Sequence, residues 1–257
     1  MRKMLVFLCI AGVFNSYAQT SSLVTVSVAT PKLGQKGAFE SAWIAHLKKF
    51  HQADTTNRRG VYEITSGIRS GSFYLTHNGM AWADLDNDRP TQKAHDMDFS
   101  STVVPTMESQ SGVNIYRWAD SLSYRPEVQA TKFLFTIYHI KTGHQNDVTD
   151  ETKRAIAVNK KINSPVSYSG FLLTLAGSKP ELVIIRNLKD GFKEIDADYY
   201  KGLNDQFKAA YIEMFGYPLW EKRQTMQADL MDLVEQEMTK YRAALAQCDK
   251  LFFTSCL

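Results

Sequence analysis

The sequence is short of several features that would mark particular classes of protein. It has three cysteines in 257 residues, no low-complexity tract and a formal net charge of only +3. The cysteine count allows one disulfide at most, and the ordinary mixture of 44% hydrophobic and 22% charged residues argues against disorder. Basic pairs are scattered rather than clustered, so nucleic acid is not an expected partner.

Long apolar runs and strong catalytic motifs are also missing. The longest N-terminal run, Met4–Phe14, is too short to span a bilayer, for which about 20 residues are needed. The chain has no Gly-x-Ser-x-Gly elbow, no Gly-x-x-x-x-Gly-Lys loop and no Gly-x-Gly-x-x-Gly at a strand-helix junction. These absences disfavour nucleophilic hydrolysis and nucleotide chemistry.

The N-terminus has the pattern of an export signal over residues 1–18. Arg2 and Lys3 are basic, Met4–Phe14 is apolar, and Ser16-Tyr17-Ala18 places small residues where signal peptidase reads them. We expect cleavage after Ala18, a periplasmic or secreted mature chain, and no membrane span once the signal is removed. A short transmembrane anchor is the alternative.

Removal of the signal changes the charge and the cysteine count. The formal charge falls from +3 to +1 because Arg2 and Lys3 leave. Cys248 and Cys256 are the cysteines that remain, both within the last ten residues. In an exported chain they predict either a disulfide that closes the C-terminal tail or two free thiols.

The chain repeats itself at an offset of 110 residues. Gly60–Gly67 reads GVYEITSG and Gly170–Gly177 reads GFLLTLAG, while Asp84–Asp88 (DLDND) matches Glu194–Asp198 (EIDAD). A fixed offset between matching segments indicates two copies of one structural unit.

Each copy reads as a strand, an amphipathic helix and a hairpin, followed by more helix. Leu23–Thr30 and Phe133–Ile140 begin the two copies as strands, because branched apolar residues alternate there with smaller or more polar ones. Helices outside would leave one apolar sheet face open, and a second copy is its natural cover. The pattern therefore predicts an α+β fold in which two four-stranded sheets face each other as a barrel.

This organisation, over roughly residues 23–215, resembles the ferredoxin-like dimeric α/β-barrel superfamily in its tandem two-copy form. We divide the chain into a signal peptide (1–18), a first repeat (19–128), a second repeat (129–215) and a C-terminal helical extension (216–257). In the extension, Glu221–Ala246 has apolar residues on one helical stripe, which predicts a long last helix. The resemblance implies that an inter-sheet cavity can bind haem or small aromatic substrates, in some members through a histidine.

His139 is the candidate catalytic residue. It shares a strand face with Phe133, Phe135 and Ile137, so an inward-facing strand would place its ring in an apolar interior. A histidine satisfied by ordinary hydrogen bonds in the core or at an edge is the alternative. The candidates for lining a ligand cavity are the aromatic residues Trp82, Phe135, Phe171 and Phe192.

No metal site is predicted. Asp84, Asp86 and Asp88 have the spacing of a calcium loop, but Arg89 stands where that loop needs glycine. His46 and His51 are five residues apart, which does not put them on one helix face.

Two functions remain open after these observations. The first is an exported protein of undefined activity that binds a small apolar or aromatic molecule, or a protein partner, through the barrel or a helical face. The second is a haem-dependent or cofactor-free oxygenase-type enzyme that uses the inter-sheet cavity. No cofactor is required by the first function, haem is possible for the second, and a homodimer is possible for either.

Overall fold

The structure is a computed structural model that describes residues 23–51, 58–86, 91–175 and 179–247. Its strands are β1 (Leu23–Pro31), β2 (Arg58–Ile64), β3 (Phe73–Met80), β4 (Met107–Gln110), β5 (Asn114–Tyr124), β6 (Lys132–Ile140), β7 (Tyr168–Leu175), β8 (Glu181–Leu188) and β9 (Met231–Tyr241). Its α-helices are α1 (Lys36–Phe50), α2 (Gln92–Asp98), α3 (Gln145–Lys161), α4 (Leu203–Phe215) and α5 (Tyr217–Leu230). The predicted signal peptide, Cys248 and Cys256 lie outside the described residues.

Eight of these strands form a closed antiparallel barrel. The strand order is β3-β2-β9-β6-β8-β7-β5-β1, and β1 pairs back with β3 to close the ring, while β4 pairs with the end of β1. Closure leaves the barrel without unpaired edges. The expected α+β class, with a strand barrel inside and helices outside, is therefore confirmed.

Alternation along the strands separates the barrel interior from its outer face. On β6, Phe133, Phe135 and Ile137 point into the core, and Tyr138 and Ile140 pack on the outside beneath helices of the second half. Apolar residues of the strands are therefore buried in two places: inside the barrel, and in the layer between the barrel and the helices.

The helices cover the outer face of the barrel in two groups. In the first half, Phe39 and Trp43 of α1 pack against Phe73 and Leu75 of β3, and the Trp43 indole donates a hydrogen bond to the Leu245 carbonyl at 2.9 Å. In the second half, α3, α4 and α5 pack together over the remaining strands. Among the described residues, no helix is both long enough and apolar enough to cross a membrane.

The predicted long C-terminal helix is wrong. Helix α5 ends at Leu230, and Met231–Tyr241 forms strand β9 between β6 and β2. Residues 231–241 include good helix formers. Without β9, however, the edges of β6 and β2 would have no strand to pair with, so closure of the barrel outweighs the local helix propensity. The predicted helical extension from residue 216 is therefore helical only as far as Leu230, after which the segment supplies a barrel strand.

Candidate functional site

The barrel interior is nearly filled by side chains. Its cavity has a volume of about 40 Å³, with Phe135 and Phe171 among the apolar residues of its wall. A cavity of this size has room for a few water molecules only. Two of the four predicted aromatic candidates thus line the expected cavity, but the cavity is too small for an aromatic ligand.

The other two aromatic candidates, Trp82 and Phe192, do not line this cavity. Trp82 lies on a short 3-10 turn after β3, and Phe192 lies on a short 3-10 turn after β8. Both turns lie outside the barrel. Trp82 is 42% exposed, and the Phe192 ring has the Lys132 ammonium 4.9 Å from its centre. Trp82 and Phe192 are 110 residues apart, and each lies on the turn that follows the second strand of a hairpin, β3 and β8 respectively.

His139 lies at one end of the inward face of β6, as the alternation predicts, and its side chain is 23% exposed. Its Nδ1 atom is 3.1 Å from Glu181, and its Nε2 atom is 3.1 Å from Glu235. Both ring nitrogens therefore contact carboxylates, so this arrangement matches the satisfied edge histidine.

Hydrogen bonds continue from His139 along this end of the barrel. Arg69 bonds both Glu235 and the fully buried Glu237, and the Tyr74 hydroxyl donates to Glu237 at 2.6 Å. Burial raises the pKa of Tyr74, an effect that nearby Arg69 opposes and Glu237 reinforces. The Tyr74 hydroxyl therefore stays protonated and acts as a donor.

A larger pocket lies outside the barrel, between the sheet and the helices of the first half. We call it the histidine pocket, and its volume is about 330 Å³. Trp43, Leu75 and Phe99 supply apolar wall, and His46 and His95 supply polar wall. The remaining lining residues are Thr25, Ser27, Arg59, Thr76, His77, Asp96, Gln110 and Val113.

Three imidazoles converge at the wall of the histidine pocket. His46 comes from α1, His51 follows the last residue of that helix, and His95 comes from α2. The Nε2 atom of His95 is 3.1 Å from Nε2 of His46 and 3.2 Å from Nε2 of His51. One ligand atom from each of the three residues lies within 4.8 Å of the others.

Carboxylates hold the outer nitrogens of two of these rings. His46 Nδ1 lies 2.9 Å from Asp98, and His95 Nδ1 lies 2.9 Å from Asp96. Burial lowers the pKa of His46, although the hydrogen bond that it donates to Asp98 acts in the opposite direction. Hydrogen bonds from Lys49 and His46 lower the pKa of Asp98, which favours its ionised, accepting form.

The sequence did not reveal this cluster. The separation of His46 and His51 argues against a shared helix face, but α1 ends at Phe50, so His51 leaves the helical path and turns back toward His46. His95 joins them from a position 44 residues after His51 in the chain. His77 is buried on β3 and lines the same pocket.

A second outer pocket, of about 210 Å³, lies under the helices of the second half. Its buried polar group is Glu151 of α3, which accepts hydrogen bonds from Tyr211 at 2.6 Å, Arg223 at 2.5 Å and Arg154 at 2.9 Å. Three donors satisfy this carboxylate, so we assign it a structural role in joining the helices.

No family model matches the sequence, and no curated protein matches it. Solved structures do match its fold. A proposed monooxygenase from Fusobacterium nucleatum subsp. nucleatum is 12% identical, with a TM-score of 0.54 over 87% of this chain and 93% of that one. An anthrone oxidase-like protein is 10% identical, with a TM-score of 0.52 over 87% and 92%.

Chlorite dismutase from Candidatus Nitrospira defluvii, solved in complex with imidazole, is also similar. It is 9% identical, with a TM-score of 0.50 over 86% of this chain and 92% of that one. Identities this low establish likeness of fold and nothing further. By its fold, the chain resembles the dimeric α/β-barrel proteins.

Proposed function

We propose that this protein binds a small apolar or aromatic molecule in the histidine pocket and acts on it as an oxygenase-type enzyme. The observation that carries the proposal is a pocket of about 330 Å³ in which apolar walls meet a cluster of imidazoles. Pockets that combine apolar lining with a few convergent polar groups are typical of small-molecule sites. The barrel interior, at about 40 Å³, offers no comparable space.

The imidazoles are polar groups that can orient a substrate in a largely apolar pocket. His46 and His95 both line the pocket. The matched structures described as a proposed monooxygenase and as anthrone oxidase-like support a reaction between an aromatic substrate and dioxygen. The residues we expect to face that substrate are Trp43, His46, His95 and Phe99.

A haem does not fit at His139. Both nitrogens of that ring contact carboxylates, and the adjoining cavity of about 40 Å³ is far too small for the macrocycle. We therefore favour oxygenase-type chemistry without haem in the barrel.

Binding is tested by filling the pocket. We expect isothermal titration calorimetry with 1-naphthol to show one saturable site, and Thr25→Phe to weaken it at least about tenfold by occupying the pocket. Ala155→Phe is the matched control, since Ala155 is half-buried like Thr25 but lines the second outer pocket. Equal affinity in wild type and Thr25→Phe would place the ligand elsewhere.

Enzyme activity is tested separately from binding. An oxygen electrode is used with an anthrone as substrate, and wild type is expected to consume dioxygen faster than Thr25→Phe. Saturable binding without oxygen uptake would indicate that the protein binds the molecule but does not oxidise it, and would refute the enzyme part of the proposal.

We also propose that the barrel arose as two copies of one unit and that the chain is exported. The strand order β5-β1-β3-β2 in the first half matches β9-β6-β8-β7 in the second, which supports duplication. Export rests on the leader pattern of residues 1–18. N-terminal sequencing of the protein from a periplasmic or culture fraction is expected to begin at Gln19, and a chain that retains Met1 would contradict export by cleavage.

A further inference from the structure

We propose that His46, His51 and His95 form a binding site for one divalent first-row transition-metal ion of the Zn²⁺ type. The ligands come from the end of α1 and from α2, and each is assigned through its Nε2 atom. The proposal does not depend on the small-molecule function, because metal binding is measured with the ion alone.

The spacing of the nitrogens fits such an ion. Zinc binds imidazole nitrogens at about 2.0–2.1 Å in tetrahedral geometry, which separates two of its ligands by about 3.3 Å. The two Nε2 separations made by His95 are 3.1 and 3.2 Å, and the ligand atoms of all three residues lie within 4.8 Å. A modest rotation of the rings places all three nitrogens around one ion.

The hydrogen bonds of the outer nitrogens favour a cation between the rings. An ionised carboxylate only accepts, so Asp98 and Asp96 assign the Nδ1 protons to His46 and His95. In neutral imidazoles with those tautomers, the two Nε2 atoms present lone pairs to each other at 3.1 Å. A metal ion between them, or an extra proton shared by them, removes that repulsion.

The surroundings favour the metal over the shared proton. His46 is almost fully buried, with 2% of its side chain exposed, and a charged imidazolium is costly there unless its charge is compensated. Carboxylates that hold the second nitrogen of a ligating histidine are the usual outer partners of a metal site, since they orient the ring and raise its basicity. Asp98 and Asp96 occupy that position here.

The ligand set also selects the kind of ion. Neutral nitrogen donors suit Zn²⁺, Cu²⁺, Ni²⁺ and Fe²⁺, whereas Mg²⁺ and Ca²⁺ require oxygen ligands. Three protein ligands leave a tetrahedral ion with one further position for water or substrate. Since His46 and His95 line the histidine pocket, an ion held between them would be next to the small-molecule space.

The test is a calorimetric titration of the chelator-treated full chain with ZnCl₂. We expect one Zn²⁺ per chain and a rise in melting temperature of roughly 5–10 °C when Zn²⁺ is present at about a hundred times its Kd. His95→Ala is expected to weaken binding by more than the roughly 10- to 100-fold cost of changing an outer partner. His46→Gln, which keeps more of the buried volume, repeats the test if His95→Ala is unstable.

His144→Ala is the matched control, because His144 also contacts an aspartate but lies on the other half of the chain. This variant is expected to retain wild-type zinc affinity. In titrations with MgCl₂ or CaCl₂, neither Mg²⁺ nor Ca²⁺ is expected to bind to wild type or to any variant. Zinc affinity unchanged by both His95→Ala and His46→Gln would overturn the proposal, as would absence of zinc binding by folded wild type. Zinc binding without 1-naphthol binding would support the metal site while refuting the small-molecule function.

Discussion

The two outer pockets of the barrel occupy similar places in the fold but use their buried polar groups differently. In each half, helices cover the outer face of the sheet and enclose a pocket that contains ionisable side chains. In the second half, Glu151 of α3 receives hydrogen bonds from Arg154 of the same helix, from Tyr211 of α4 and from Arg223 of α5. In the first half, the Nε2 atoms of His46 and His95 face each other. The carboxylate with three donors joins helices, whereas the two facing imidazole nitrogens are the basis of the proposed metal site.

The largest expected effect lies in the second pocket. We expect Glu151→Ala to lower the free energy of unfolding by roughly 3–5 kcal/mol, because Arg223, Arg154 and Tyr211 lose their buried acceptor. Urea denaturation followed by circular dichroism measures the change. Asp150→Ala is the control, since its exposed neighbouring carboxylate should change stability by no more than about 0.5 kcal/mol. A loss below about 1 kcal/mol for Glu151→Ala would remove the structural role assigned to this carboxylate.

A smaller effect is expected at the outer partners of the histidine cluster. Asp98→Asn should lower zinc affinity by about 10- to 100-fold, because Asp98 orients His46 and fixes its tautomer. The corresponding change in binding free energy is about 1.4–2.7 kcal/mol. Calorimetry measures the affinity, and Asp147→Asn, which removes the equivalent partner of His144, serves as the control. Equal losses in both variants would mean that charge alone, rather than orientation, controls binding.

The smallest expected effect concerns how α1 is held. Burial would raise the pKa of Glu63, but hydrogen bonds from Lys36 and Arg242 outweigh it and lower that pKa below the ordinary value. The folded state therefore holds this proton less tightly than the unfolded state. The stability that Glu63 contributes is present at neutral pH and is lost as the pH falls through the lowered pKa.

We expect Glu63→Gln to reduce the free energy of unfolding by about 1 kcal/mol at neutral pH, and by progressively less as the pH falls through the lowered pKa. Urea denaturation at a series of pH values from neutral into acid measures the difference, with exposed Glu108→Gln as the control. A loss that is equally large in acid would assign the effect to packing rather than to charge.

The parts of the fold that could be predicted are those with local periodicity. The expected strands at Leu23–Thr30 and Phe133–Ile140 agree with β1 and β6 within one residue at each end. The expected helix after the first strand agrees with α1. The segment that became β9 was predicted as a helix because its local pattern fits both structures, and only its partners β2 and β6 decide between them.

The candidate site was less predictable than the fold. His139 was found because it shares a strand face with apolar residues, and its two carboxylate contacts come from β8 and β9. His46 carried a usable signal, since it lies on the α1 stripe that also holds Phe39 and Trp43. Its partner His95 carried none, because no sequence spacing relates residues on separate helices.

Sequence alone determined the alternation and helical periodicity that make a barrel with helices outside. It also determined the 110-residue offset and the near-neutral charge. Tertiary structure decided that residues 231–241 close the barrel, that the interior retains only about 40 Å³, and that three histidines meet outside it. The reason is physical: periodicity depends on neighbouring residues, whereas barrel closure, cavity volume and ligand convergence depend on contacts between segments far apart in the chain.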